Sequence, residues 1–204
     1  LKNKRENPSD DLLSAIANAK IDDKKLTDEF LDGSWLLIIF AGNDTTRNTM
    51  SGGIKLLHEN QSQKELLMQN LDLLPNFINE TVRCVSPVIH MRRTSLEETE
   101  INGQRIGPYE KISLWYGAAN RDPDIFENPD QFNILRENAN KHLAFGIGRH
   151  TCLGKPVALM QLQEFYSQFL VRFKDFEMNG DWKVAPNNFV HAIQEMPIKF
   201  TPIK

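Results

Sequence analysis

The chain has 204 residues, 40% of them hydrophobic, with 24 lysines and arginines against 27 aspartates and glutamates. That length can bury a substantial core, and a formal net charge of −3 excludes nucleic acid or an anionic membrane as the main electrostatic partner. Two cysteines, Cys84 and Cys152, cannot build a disulfide framework, so a reducing, cytoplasmic setting is expected and each thiol needs its own explanation.

The opening "LKNKRENPSDDLL" starts at Leu1 rather than methionine, and a fragment of a longer protein is expected. In "PSDDLLSAIANAK", Ser9 or Asp10 reads as the cap of a short amphipathic helix carrying Leu12, Leu13 and Ile16. A much longer helical pattern begins at Thr27 and runs through Trp35 and Phe40 to Leu57, interrupted by the polar "GNDTT". Its apolar run "WLLIIFAG" is far short of the ~20 residues of a membrane span, and no membrane segment or signal peptide is visible. Helices follow at roughly 61–69 and 72–85. After Pro87 the texture turns to strands, with Asn102-Gly103 marking a hairpin. The proline-punctuated "NRDPDIFENPDQFNILREN" predicts an ordered loop. A last long helix is expected from about Cys152 to Phe169, then short strands. Without repeats or linkers, residues 1–204 read as part of one domain.

The stretch "KHLAFGIGRHTCLGKPVA" carries the chemistry. Taken singly, Cys152 is a buried small hydrophobe and Gly146, Gly148 and Gly154 are turn residues. Taken together, the glycines let the backbone fold its amides inward, and Cys152 sits where a helix leaves N–H groups unpaired, a setting that stabilises a thiolate. Pro156 suits a first helical turn. With no second cysteine nearby, a C-x-x-C zinc or redox site is excluded, leaving a nucleophile or a haem iron.

"FGIGRHTCLG" resembles the haem-binding signature of the cytochrome P-450 family. The resemblance implies the C-terminal half of that fold, mainly α with small β-sheets (α+β), with a long central kinked helix and a proximal cysteine-ligand loop. It makes Cys152 the thiolate ligand of haem b (iron protoporphyrin IX), Phe145 the ring beside the sulfur, and His150 a partner for a propionate. Thiolate ligation favours O–O cleavage.

On the same likeness, "AGNDTTR" resembles the oxygen-activation stretch of the family's long helix, Ala41 and Gly42 matching its small pair. Read from its residues alone, it is a kink in which Thr45 can bond back to a preceding carbonyl. By the resemblance Asp44 with Thr45 would form an acid–alcohol proton relay, a pair that the peroxide-using members tend to lack, so dioxygen plus two electrons is expected, and Leu37 and Phe40 would face substrate. "ETVR" gives Glu80 and Arg83, on composition a surface ion pair. By the resemblance they form a structural triad with Arg136 of "DQFNILREN". Arg93, in preference to Arg92, matches a propionate-binding arginine. Val88 and Ile89, with Phe189 and Val190, match two pocket-lining segments, although plain core packing would also place apolar residues there. His90 and His191 are structural or pocket residues, and Cys84 is inert core.

The expected function is a haem-thiolate monooxygenase that inserts one oxygen atom of dioxygen into an apolar substrate, terpene, sterol or fatty-acyl-like. Electrons come from NAD(P)H through ferredoxin reductase and ferredoxin, with Lys141, Arg149 and Lys155 as a docking patch. Ala158-Leu159 and Gln161 depart from the residues usual after the ligand. The alternatives are a truncated or degenerate non-catalytic haem-binding fragment, and a thiolate hydrolase using Cys152 and His150, which leaves the glutamate–arginine pair unexplained.

Overall fold

A computed structural model describes residues 1–203, which fall into two compact units, Leu1–Asn43 and Asp44 onward. The first unit holds α1 (Lys2–Glu6), α2 (Leu12–Ala17), a hairpin of β1 (Lys20–Ile21) and β2 (Lys24–Lys25), and the start of α3 (Asp28–Glu59). Neither expected residue caps α2. Asp11 does, its Oδ1 accepting the Ser14 amide at 2.7 Å, while Lys4 and Ser9 hold its other oxygen. The hairpin turns on Asp22 and Asp23, both at positive φ, which aspartate tolerates better than most side chains. Arg5 ties the unit together by bonding the Ala17 and Leu26 carbonyls and Asp28.

The polar "GNDTT" does not break α3: the backbone stays α-helical from Asp28 to Glu59. Its serine- and threonine-rich second part is held by tertiary packing, with Thr46, Asn48 and Thr49 all buried, so neighbours outweigh weak propensity.

The second unit adds α4 (Gln61–Gln69), a 3₁₀ turn at Leu71–Leu73 and α5 (Leu74–Val85). Two hairpins follow, β3 (His90–Thr94) pairing β6 (Lys111–Trp115), and β4 (Thr99–Ile101) pairing β5 (Gln104–Ile106) across Asn102-Gly103. After α6 (Tyr116–Ala119) an irregular stretch leads to α7 (Lys155–Arg172). The chain then forms β7 (Phe173–Met178), β8 (Lys183–Val184), β9 (Ile193–Glu195) and β10 (Ile198–Pro202), antiparallel as β7–β10 and β8–β9.

The core is helix against helix. Leu74, Phe77, Ile78 and Val82 make one apolar stripe on α5, packed on Leu162, Tyr166 and Leu170 of α7 and Ile54 and Leu57 of α3. Phe77 meets Tyr166 edge-on at 4.8 Å between centroids. The Tyr166 hydroxyl lies against α3, 3.0 Å from the Thr49 carbonyl and 2.9 Å from that of Met50. Glycine allows this approach: a Cβ at Gly53 would lie 2.0 Å from that hydroxyl. Gly53→Ala is therefore expected to destabilise the protein by about 1–3 kcal/mol through overpacking. In urea unfolding, the Gly53→Ala/Tyr166→Phe double substitution should lose less than the sum of the singles.

Candidate functional site

The cysteine turn is built by backbone bonds on either side of two left-handed glycines. Gly146 and Gly148 sit at φ +69° and +68°, and a Cβ at Gly146 would also crowd the His150 carbonyl at 3.2 Å. The Gly146 amide donates to Leu143, the Thr151 amide to Gly148, and the Cys152 amide to the Phe145 carbonyl at 2.8 Å. Phe145 is half-buried, its ring 5.6 Å from the His142 ring and 5.5 Å from the Lys155 ammonium. Cys152 is exposed, which rules out the reading of it as a buried hydrophobe. It also lies outside α7, which starts at Lys155 behind Gly154 as its N-cap, so the expected start of that helix at the cysteine is corrected by three residues. Pro156 occupies the first turn, as expected. His150 is exposed in a 3₁₀ turn with Arg149.

Glu80, Arg83 and Arg136 come together in full burial, at 0%, 0% and 7% exposure. Arg83 grips both oxygens of Glu80 at 2.8 Å, and Arg136 donates to the same carboxylate at 3.1 Å. The remaining guanidinium protons go to backbone: Arg83 to the carbonyls of Asn120, Pro129 and Gln131, Arg136 to those of Glu127, Asn128 and Gln131. Phe126 packs beneath both guanidinium groups. The surface ion-pair reading of Glu80 and Arg83 is thus overturned. Cys84, half-buried beside them, has its thiol pushed up to about 11, first by burial and then by the Glu80 charge, so it stays protonated and inert.

The two apolar segments matched as pocket-lining also meet. Val88 bridges Val190, and the Ile89 amide donates to the Phe189 carbonyl at 2.8 Å. His191 closes the junction through its amide to Pro87 and its Nδ1 to the Val85 carbonyl. His90 stacks at a tilt on Trp115, 4.9 Å away. Arg93 is half-buried on β3 with Nη1 on the Arg92 carbonyl, whereas Arg92 is exposed.

On α3, Asp44 pairs with Arg47 at 2.8 Å, and the Thr45 carbonyl accepts the Thr49 hydroxyl. Leu37, Phe40, Ala41 and Gly42 are exposed, and a Cβ at Gly42 would meet no atom within 4 Å.

The sequence match now has a structural context, and the family model for Cytochrome P450 matches residues 54–201. The chain belongs to the cytochrome P450 family. It is 37% identical to cytochrome P450-terp of a Pseudomonas species over 97% of this chain and 46% of that one, and 38% identical to a steroid C26-monooxygenase of Mycolicibacterium smegmatis over 98% and 50%. A Mycobacterium marinum cytochrome P450 solved with pseudoionone superposes with a TM-score of 0.92 at 39% identity, covering 98% of this chain and 48% of that one. The chain spans about half the length of the curated relatives it matches.

The cysteine turn of this P450 chain fits haem by the chemistry of its donors. Among the described residues no group of three or more His, Cys, Asp or Glu could hold a metal ion. What the turn offers is one exposed soft sulfur held by backbone bonds, the donor that a porphyrin-borne iron takes from a protein. Among the described residues no helix is long and apolar enough to cross a membrane.

Sequence reasoning missed three buried polar anchors of this P450 chain. Lys64, 5% exposed, reaches Asp175 at 2.6 Å and the Phe176 carbonyl at 3.0 Å. Asn120 is wholly buried between Ser86 and Leu143. His142, 8% exposed, accepts the Ala144 amide on Nδ1. Burial, reinforced by the Lys155 and Arg83 cations, pushes the His142 imidazole down to about 4 from an ordinary 6.5. The unfolded chain binds the proton more readily, so this contribution is fully present above pH 6.5 and is lost as pH falls toward 4. The loss should reach roughly 3 kcal/mol, and His142→Gln should flatten that part of the stability–pH curve measured by urea unfolding.

Proposed function

We propose that this chain is the haem-binding part of a monooxygenase that consumes dioxygen, two electrons and two protons, placing one oxygen atom in an apolar substrate and releasing the other as water. The observation that carries the reading is an exposed Cys152 held by a glycine-built turn, in a chain matching the P450 family. Cys152 supplies the thiolate ligand, with Phe145, Gly146, Gly148 and Gly154 shaping its turn. Arg93 and His150 are partners for the haem carboxylates. Bound haem supplies the redox-active iron at which dioxygen is reduced and an oxygen atom is transferred. Ala41 and Gly42 keep their turn of α3 free of side-chain bulk.

Asp44 and Thr45 hold and pass protons. Asp44 has a ready route to solvent, since its partner Arg47 is 60% exposed. Asp44→Asn is expected to lower product formation by about 10²–10⁴-fold, with NAD(P)H consumption diverted to hydrogen peroxide; equal product per NAD(P)H would remove the relay. Val88, Ile89, Phe189 and Val190 offer apolar surface to substrate in the second unit, and Leu37 and Phe40 are apolar substrate-facing candidates on the first part of α3. The relatives' names, which include a linalool 8-monooxygenase of Pseudomonas putida, the steroid C26-monooxygenase and a methyl-branched lipid omega-hydroxylase of Mycobacterium bovis, support a terpene, sterol or fatty-acyl-like compound. NAD(P)H, ferredoxin reductase and ferredoxin are the proposed electron route, with exposed Lys141, Arg149 and Lys155 as the basic contact and the cytoplasm as the setting.

The test is the absorption spectrum of the haem-loaded protein after reduction under carbon monoxide. A red-shifted Soret band establishes thiolate ligation, and its absence overturns the reading.

A further inference from the structure

We infer that Asn120 is a positioning residue for Cys152, joining the buried Glu80–Arg83 pair to the cysteine turn. The inference rests on the reading of Cys152 as the thiolate ligand. Asn120 is 0% exposed and every polar group it has is used. Its amide donates to Tyr116, and its carbonyl accepts Arg83 Nη1 at 2.8 Å. Its Nδ2 donates to the Ser86 hydroxyl at 2.8 Å, which in turn donates to the Arg83 carbonyl. Its Oδ1 accepts the Leu143 amide at 2.6 Å. A backbone amide can only donate, so the atom facing Leu143 is oxygen, and the side chain has one possible orientation.

Leu143 is where the cysteine turn begins. Its carbonyl accepts the Gly146 amide, and between them Phe145 presents the carbonyl that takes the Cys152 amide. The path from Arg83 to Cys152 thus passes through one buried asparagine and then through the main-chain bonds of the turn, of the kind by which outer partners orient a metal ligand. Without it, the turn keeps only its own main-chain bonds, closed around Gly146 and Gly148, the residues with the greatest backbone freedom in it.

The experiment compares the haem-loaded wild type with Asn120→Ala, Asn120→Asp and Ser86→Ala, reading the reduced carbon monoxide spectrum and amide hydrogen exchange at Leu143. Asn120→Ala should move a large part of the Soret band to the short-wavelength form that lacks thiolate ligation, and speed Leu143 exchange about tenfold. Asn120→Asp, which keeps an acceptor for Leu143, should restore the band. Ser86→Ala should lose stability with the band intact. An unchanged band and unchanged exchange in Asn120→Ala overturn the inference. Should that variant not fold, the wild type decides: a Leu143 amide exchanging as fast as an exposed one also overturns it. A wild type lacking the thiolate band would instead sink the ligand assignment, while exchange at Leu143 would still report on the Asn120 bond.

Discussion

Cys152→Ser is expected to leave the protein folded while removing its red-shifted carbon monoxide band and all measurable oxygen insertion. The fold is spared because the thiol is exposed and its turn is held by backbone bonds, the Cys152 amide to Phe145 and the Lys155 amide to Cys152, neither of which involves sulfur. The chemistry is lost because a serine hydroxyl, with a far higher pKa than a thiol, does not supply the electron density that a thiolate gives to iron. The loss should exceed the ~10–100-fold effects of outer-partner substitutions. Circular dichroism and urea unfolding check the first half, and the reduced spectrum with a product assay checks the second. Retained turnover with an unchanged spectrum would sink the ligand assignment.

Glu80→Gln should destabilise the protein by about 3–5 kcal/mol, because it leaves two guanidinium groups in the interior without the charge that balances them. Against a typical total of ~5–15 kcal/mol that is a large fraction, enough to unfold part of the population or release haem. Arg83→Lys discriminates a buried network from a surface pair. Lysine keeps the charge but not the planar fork that reaches Glu80 and three backbone carbonyls at once, so its loss should approach that of Glu80→Gln. A surface pair would lose under about 1 kcal/mol. Urea midpoints at constant slope measure both.

How far the sequence could be read follows the distance over which its signals act. The cysteine turn was legible because its determinants, two glycines, a cysteine and a proline, lie within a dozen residues and match a known signature. The helix expected at roughly 72–85 was legible in outline, and the structure places it at Leu74–Val85. The Glu80–Arg83 spacing looked like surface decoration, because nothing in four residues reports that three backbone carbonyls of 120–131 and Arg136 will close over them. Asn120 and Lys64 were silent for the same reason, their partners lying at Leu143 and Asp175, and His142 because its burial is set by packing that no local pattern reports. The continuity of α3 ran against local propensity, and the late start of α7 turned on whether Gly154 or Cys152 capped it, a boundary that composition does not fix.

The junction of Val88 with Val190 and Ile89 with Phe189, proposed above as apolar surface for substrate, bears under that proposal on how the substrate range would change. Two stretches a hundred residues apart share a single seam of main-chain bonds, so a shift of one is inherited by the other. Adaptation at this wall should therefore proceed by paired replacements whose effects are not additive, and a library varying either stretch alone would explore only part of the reachable shapes.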